Sequence, residues 1–141
     1  MKAVKAANEK QLNDAFYVRK KVFVEEQKVP EELEMDEHDD KADHIVLYDE
    51  TKPIGTGRLR IVDNAGKLER ICILPEYRGR GAGKIILDAL ENLARTKNVK
   101  KVKLNAQTHA ENFYKKAGYK TVSDIFMDAG IPHVSMVKTI D

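Results

Sequence analysis

The stretch Arg78-Gly79-Arg80-Gly81-Ala82-Gly83-Lys84 is where residue types and spacing most directly imply chemistry. A helix N-terminus presents unpaired N–H groups and the positive end of its dipole, and glycines just before it let an anion, usually a phosphate, come close. Gly79, Gly81 and Gly83 give that access, and Arg78, Arg80 and Lys84 add positive charge. The spacing is neither the Gly-x-x-x-x-Gly-Lys-Ser/Thr of nucleoside triphosphatases nor the Gly-x-Gly-x-x-Gly of dinucleotide folds, so a different phosphate ligand is implied. The plainer alternative is a turn that only packs strand on helix, and three glycines among three bases argue against it. Cys72, the only cysteine, reads as a small buried hydrophobe rather than a covalent nucleophile.

The elements that must position this loop follow from periodicity. Lys2 to Lys5 is a short strand, and Asn8 caps a helix carrying Leu12, Ala15, Phe16, Arg19 and Phe23 at helical spacing. Lys28 to Asp43 lacks an apolar period and reads as a long loop or an irregular short helix. His44 to Tyr48 and Ile54 to Val62 form a hairpin around Asp49-Glu50-Thr51-Lys52-Pro53, and Asp63-Asn64-Ala65-Gly66 turns into a third antiparallel strand, Lys67 to Leu74. The glycine loop then opens a helix whose Ile86, Leu90, Leu93 and Ala94 share one face. Lys101 to Ala106 is a further strand, and Ala110 to Ala117 is a short helix closed by Gly118. Tyr119 to Met127 and His133 to Ile140 are closing strands around Gly130-Ile131-Pro132. The sum is a mixed α/β sheet of the α+β type in one domain, residues 1–141, with no linker or internal repeat.

Arg78-Gly79-Arg80-Gly81-Ala82-Gly83 matches Arg/Gln-x-x-Gly-x-Gly/Ala, and here the chain resembles the GNAT superfamily of acyl-CoA-dependent N-acetyltransferases. Ile73-Leu74-Pro75-Glu76-Tyr77 resembles the strand end before that signature, and Ala110 with Phe113-Tyr114-Lys115-Lys116-Ala117-Gly118-Tyr119 resembles the family's Ala-x-x-Phe-Tyr-x-x-x-Gly-Phe helix. The N-terminal Arg19 to Gln27 and the later Gly130-Ile131-Pro132-His133 are most similar to the ElaA-like branch. The resemblance covers nearly the whole chain. It implies a mostly antiparallel central sheet with helices on both faces and acetyl-CoA as co-substrate, without a metal. It further implies that backbone N–H groups of Arg78, Gly79, Arg80, Gly81, Ala82, Gly83 and Lys84 hold the pyrophosphate. Ile71 and Ile73 would pair main chain with the pantetheine arm. Gln107 stands where many relatives have an asparagine.

Acetyl transfer to an amine needs a base for the ammonium proton, donors for the developing oxyanion and a proton for the departing thiolate. The resemblance assigns the oxyanion donor to a backbone N–H near Ile73 and the acid to Tyr114. Glu26, Glu69, His109 and His133 are the candidates for the base, although a histidine in a strand is more often a structural partner. Arg19, Glu26 and Asp36 have a structural alternative, in which they tie the acidic segment to the first helix.

Composition sets the boundaries. With 141 residues, 42% hydrophobic, the chain can bury a core without staples, and its single cysteine forbids an intrachain disulfide or a CxxC pair. The apolar runs fall far short of the ~20 residues that span a bilayer, and Met1-Lys2-Ala3-Val4-Lys5 leaves no room for a signal core, so a cytoplasmic protein is expected. Glu25 to Asp43 carries net −8 and Arg95 to Lys120 net +7. The first run suggests a cationic acceptor drawn to an acidic loop, against a plainly solvated face. The second contains Lys97-Asn98-Val99-Lys100-Lys101-Val102-Lys103, but without interleaved aromatics it does not read as an RNA site. The expected partner is a small-molecule or peptide amine, with no nucleic acid and no membrane, and the chain as monomer or homodimer. The competing function is a CoA- or phosphate-binding module without chemistry.

Overall fold

The computed structural model describes residues 1–141. Strands β1 (Lys2–Lys5), β2 (Asp43–Asp49), β3 (Lys52–Val62) and β4 (Ala65–Ile73) form an antiparallel meander, in which short turns join β2 to β3 and β3 to β4. Strand β5 (Lys101–Gln107) then joins β4 in the one parallel pairing, and β8 (Ile131–Thr139) runs antiparallel beyond it. The sheet is therefore mixed and mostly antiparallel, in the order β1-β2-β3-β4-β5-β8-β6, with β6 (Lys120–Thr121) and β7 (Phe126–Asp128) both on β8.

Alternation along β4 assigns the helices to opposite faces. Cys72 and Leu74 pack with Val18 and Val22 of the N-terminal helix, whereas Ile71 and Ile73 pack on the cluster containing Ile86, Leu87 and Leu90 of α3 (Ala82–Thr96). The predicted face of α3 holds, with Leu87 added to it and Leu93 at its margin. Gly57 brings this helix close: a Cβ there would lie 2.7 Å from Leu90 Cδ1.

Helix α1 (Glu9–Arg19) begins where Asn8 Oδ1 accepts from the Gln11 N–H at 2.9 Å, as an N-cap should. It continues as a π-helix, Lys20–Glu26, in which each turn is widened by a residue; such segments recur at functional sites. The loop after it contains one short helix, α2 (Glu31–Glu34), and α4 (Glu111–Lys116) follows β5. No helix is long and apolar enough to cross a membrane.

The single strand expected over Tyr119 to Met127 is two. Val122 N–H still bonds Ser135 O at 2.9 Å, but the Ser123 hydroxyl accepts from the Ser135 N–H at 2.8 Å in place of a main-chain carbonyl, and residues 123–125 leave the pairing between β6 and β7. The turn that follows is Ala129-Gly130, with φ +51° and +77°, so Ile131 and Pro132 belong to β8 rather than to the turn.

Candidate active site

Strands β4 and β5 pair only from Gly66 opposite Val102 to Leu68 opposite Leu104, then separate, and the gap is a cavity of about 1000 Å³. A bulge bends β4 at this point. Arg58 faces Glu69 and Thr56 faces Cys72, so Arg70 and Ile71 share the place opposite Gly57, and Arg70 takes a left-handed φ of +57°. The Leu74 N–H bonds to Ile54 O on β3. By alternation the main-chain groups of Ile73 and Ile71 face the slot, without a strand to pair with.

At one end of the slot stands the glycine loop. Gly79 and Gly81 have φ of +77° and +81°, and the first bond inside α3 is Ile85 N–H to Gly81 O. The N–H groups of Ala82, Gly83 and Lys84 are consequently unpaired at the helix end. A Cβ on Gly83 would lie 3.1 Å from Phe113, so the glycine fits this loop against α4. Arg78, Gly79, Gly81, Ala82, Gly83 and Lys84 all line the slot, and Arg80 does not; its guanidinium lies over the Tyr77 ring at 5.4 Å. Arg78 is held by Glu26 through two bonds of 2.7 and 2.6 Å, and its Nε donates to Ile73 O at 3.0 Å.

The proton-transfer candidates are brought to the same cavity in unequal states. Tyr114 is 8% exposed against Phe113 and Tyr119, its hydroxyl bonds to no protein group, and burial beside Cys72 pushes its pKa up. Burial likewise raises the Cys72 thiol, which removes it as a ready thiolate. His133 Nδ1 lies 2.7 Å from Ile131 O; a carbonyl only accepts, so Nδ1 carries the proton and Nε2 keeps a lone pair in the neutral ring. His109 Nε2 lies 2.7 Å from Gln107 Oε1 at the slot margin.

The two glutamates are committed elsewhere. The Arg78 hydrogen bond holds the Glu26 carboxyl below the usual range. Burial would raise Glu69, but Arg60 at 2.6 Å and Arg58 at 2.8 Å override it and bring it down to about 2. A carboxylate so held is a poor acceptor for an ammonium proton at neutral pH.

Four of the ten acids in the run from Glu25 to Asp43, namely Glu26, Glu34, Asp36 and Asp39, are bound by arginines within the fold. Arg19 bonds Glu34 at 3.1 Å and Asp39 at 2.6 Å, and Arg58 bonds Asp36 at 2.7 Å and Asp39 at 2.9 Å. Arg70, on the bulge, reaches Glu34 at 2.8 Å. The alternative that ties this segment to α1 holds for Arg19, although its partners are Glu34 and Asp39 rather than Glu26 and Asp36.

Several slot residues have no site role in the sequence reading, Gln27 and Asp128 among them. Gln27, at the end of the π-helix, exchanges side-chain hydrogen bonds with Gln107, the Gln107 amide donating to Gln27 Oε1 at 2.9 Å, and Asp128 projects from β7. Gln27 closes the Arg19 to Gln27 stretch that carries the family resemblance, and Asp128 stands just before the Gly130-Ile131-Pro132-His133 stretch that carries it too.

A family model described as an acetyltransferase (GNAT) domain matches residues 4–140. The uncharacterized N-acetyltransferase YjcF of Bacillus subtilis is 55% identical over 139 residues, 98% of this chain and 99% of that protein. Among solved structures, ElaA of Escherichia coli is 25% identical with a TM-score of 0.84, covering 97% of each chain. The PaiA N-acetyltransferase of Thermoplasma acidophilum, in complex with coenzyme A, has a TM-score of 0.75 at 19% identity over 99% of each chain and shows a shared fold.

Proposed function

The chain belongs to the GNAT acetyltransferase family, an acyltransferase enzyme family, and from that premise we propose that it moves an acetyl group from acetyl-CoA to a primary amine. The observation that carries this is the slot between β4 and β5. It offers an unpaired main-chain edge for a linear amide-bearing arm, a helix N-terminus at one end for its phosphates, and a buried phenol inside. The coenzyme A held by the PaiA neighbour supports the same reading.

Acetyl-CoA supplies the thioester carbonyl; the residues do the rest. His133 Nε2 takes the ammonium proton, directly or through water, and frees the nitrogen lone pair for attack on the carbonyl carbon. A main-chain N–H at Ile73 stabilises the charge that develops on the carbonyl oxygen. As the carbon–sulfur bond breaks, the Tyr114 hydroxyl gives its proton to the thiolate, and the remaining excess proton on the attacking nitrogen passes to the phenolate, which restores the phenol and leaves the neutral amide. A phenol is protonated at neutral pH, and burial, which pushes this one up, favours that form until that step.

The test is a thermal melt paired with thiol release from acetyl-CoA against a panel of amines. At a free acetyl-CoA level of 100 times Kd the fold should gain about 2.7 kcal/mol, and Gly81→Val should lose that gain. Valine at φ +81° is strained and crowds the phosphate approach. A melt unmoved by saturating acetyl-CoA overturns the proposal. A shifted melt with no thiol release for any amine leaves the binding module without chemistry.

A further inference from the structure

Four carboxylates line the slot: Glu26, Glu34, Glu69 and Asp128. The first is held by Arg78, the second by Arg19 and Arg70, the third by Arg58 and Arg60. Asp128 makes no ion pair and no side-chain hydrogen bond, which leaves it as the slot's free negative charge.

Its placement is specific. Asp128 pairs with Ile131 across the β7–β8 hairpin, and His133 lies two residues beyond Ile131, so all three side chains project from one face. Diagonal neighbours of this kind are about 7–8 Å apart, and Ile131 adjoins both, opposite the first and two residues from the second. Phe126, opposite His133 on the same face, stacks on the imidazole with ring centroids 6.0 Å apart and fixes that end. The turn that sets the register holds Ala129 at φ +51°, a conformation that an alanine adopts only against a local cost, and such costs concentrate at functional sites.

Resting on the transferase reading, we infer that Asp128 anchors a second cationic group of the acceptor, so that the preferred substrates are amines bearing another ammonium across a short methylene spacer. One nitrogen loses its proton to His133 and reacts. The spacer lies over Ile131, and the second nitrogen stays protonated against the Asp128 carboxylate. The slot's other three carboxylates are each bound by an arginine, so Asp128 is the one left to meet a cation.

The experiment compares butylamine with diaminobutane in thiol release from acetyl-CoA, using the native protein and the variants Asp128→Asn and Asp128→Glu. Counted per reactive nitrogen, of which the diamine has two, the native protein should favour the diamine in kcat/KM by about fivefold at low salt, the upper range for a solvent-accessible ion pair, with the preference shrinking as salt rises. Asp128→Asn should bring the ratio to about one through KM, with kcat and acetyl-CoA Kd unchanged, and Asp128→Glu should retain the preference. A native ratio near one, or a ratio that survives Asp128→Asn, overturns this inference and leaves acetyl transfer standing. Bound acetyl-CoA with no release to either amine or to any other overturns both.

Discussion

In the cluster beside β4, Arg19 and Arg58 are 0% and 1% exposed and every guanidinium nitrogen is engaged by Glu34, Asp36, Asp39 or Glu69. In the adjoining slot, which Glu34 and Glu69 also line, the Tyr114 hydroxyl, His133 Nε2 and the Asp128 carboxylate have no protein partner. Burial costs are met in the first region by mutual pairing, which consumes the charges; in the second, groups stay available because they face a cavity. Local charge density is thus a poor guide to function in this chain. What distinguishes the two regions is whether a polar group is already bound, and variants in each should fail in different ways.

The sharpest break is at Tyr114. Tyr114→Phe keeps the ring against Phe113 and Tyr119 and deletes only the proton, so kcat should fall by about 10²–10⁴ while acetyl-CoA Kd and the melting curve hold. Single-turnover rates with a direct Kd measurement check this. A kcat within a few-fold of native would make Tyr114 packing alone, and the contrast between the regions would lose its main support.

The paired region should answer to acid instead. Glu69 is lowered from 4.5 to about 2 in the folded chain, against burial, by Arg60 and Arg58. A depressed carboxylate adds stability that is complete above its unfolded value and is lost as pH falls through the folded one, so the window is about pH 4.5 to 2. Asp36 and Asp39 are lowered by Arg58 and Arg19 and act in the same direction; Glu34, raised by burial despite Arg19, opposes them. Glu69 alone should contribute about 3 kcal/mol across that window. Urea midpoints measured at steps of pH should fall accordingly, and a flat profile down to about pH 3 would mean the cluster is not as tightly paired as its distances indicate.

The same contrast explains what could be read in advance. The loop from Arg78 to Lys84 is contiguous, and its glycines act where they stand, so the motif and the left-handed turns coincide. The meander and the face of α3 followed from alternation and from helical spacing. The bulge did not, because its left-handed residue is Arg70, not a glycine or asparagine, and the arginines that hold it and the acidic run come from α1, β3 and β4. The π-helical turn has no compositional mark, yet it delivers Glu26 and Gln27 to two walls of the slot. Residues that meet only after folding, such as Gln27 with Gln107, leave no local pattern.

Glu26 belongs to both regions, because it lines the slot and is paired, and it therefore decides which property matters. As a general base its loss would cost kcat heavily, by 10² or more. As a paired carboxylate it does little chemistry: its two bonds to Arg78 are partly exposed on both sides, and such pairs are worth about 0.2–1 kcal/mol. Glu26→Gln keeps the shape and still lets an amide oxygen accept from Arg78, so kcat should stay within about threefold and stability should drop by less than about 1 kcal/mol. Arg78, relieved of its counter-charge, should become more available to an anion at the glycine loop, so acetyl-CoA Kd should hold or tighten slightly and should not weaken. Steady-state kcat and a coenzyme titration on this one variant read both quantities. A hundredfold fall in kcat with Kd intact would return Glu26 to the base role, take His133 out of it, and show that a carboxylate bound to a guanidinium in this slot remains free enough to accept a proton.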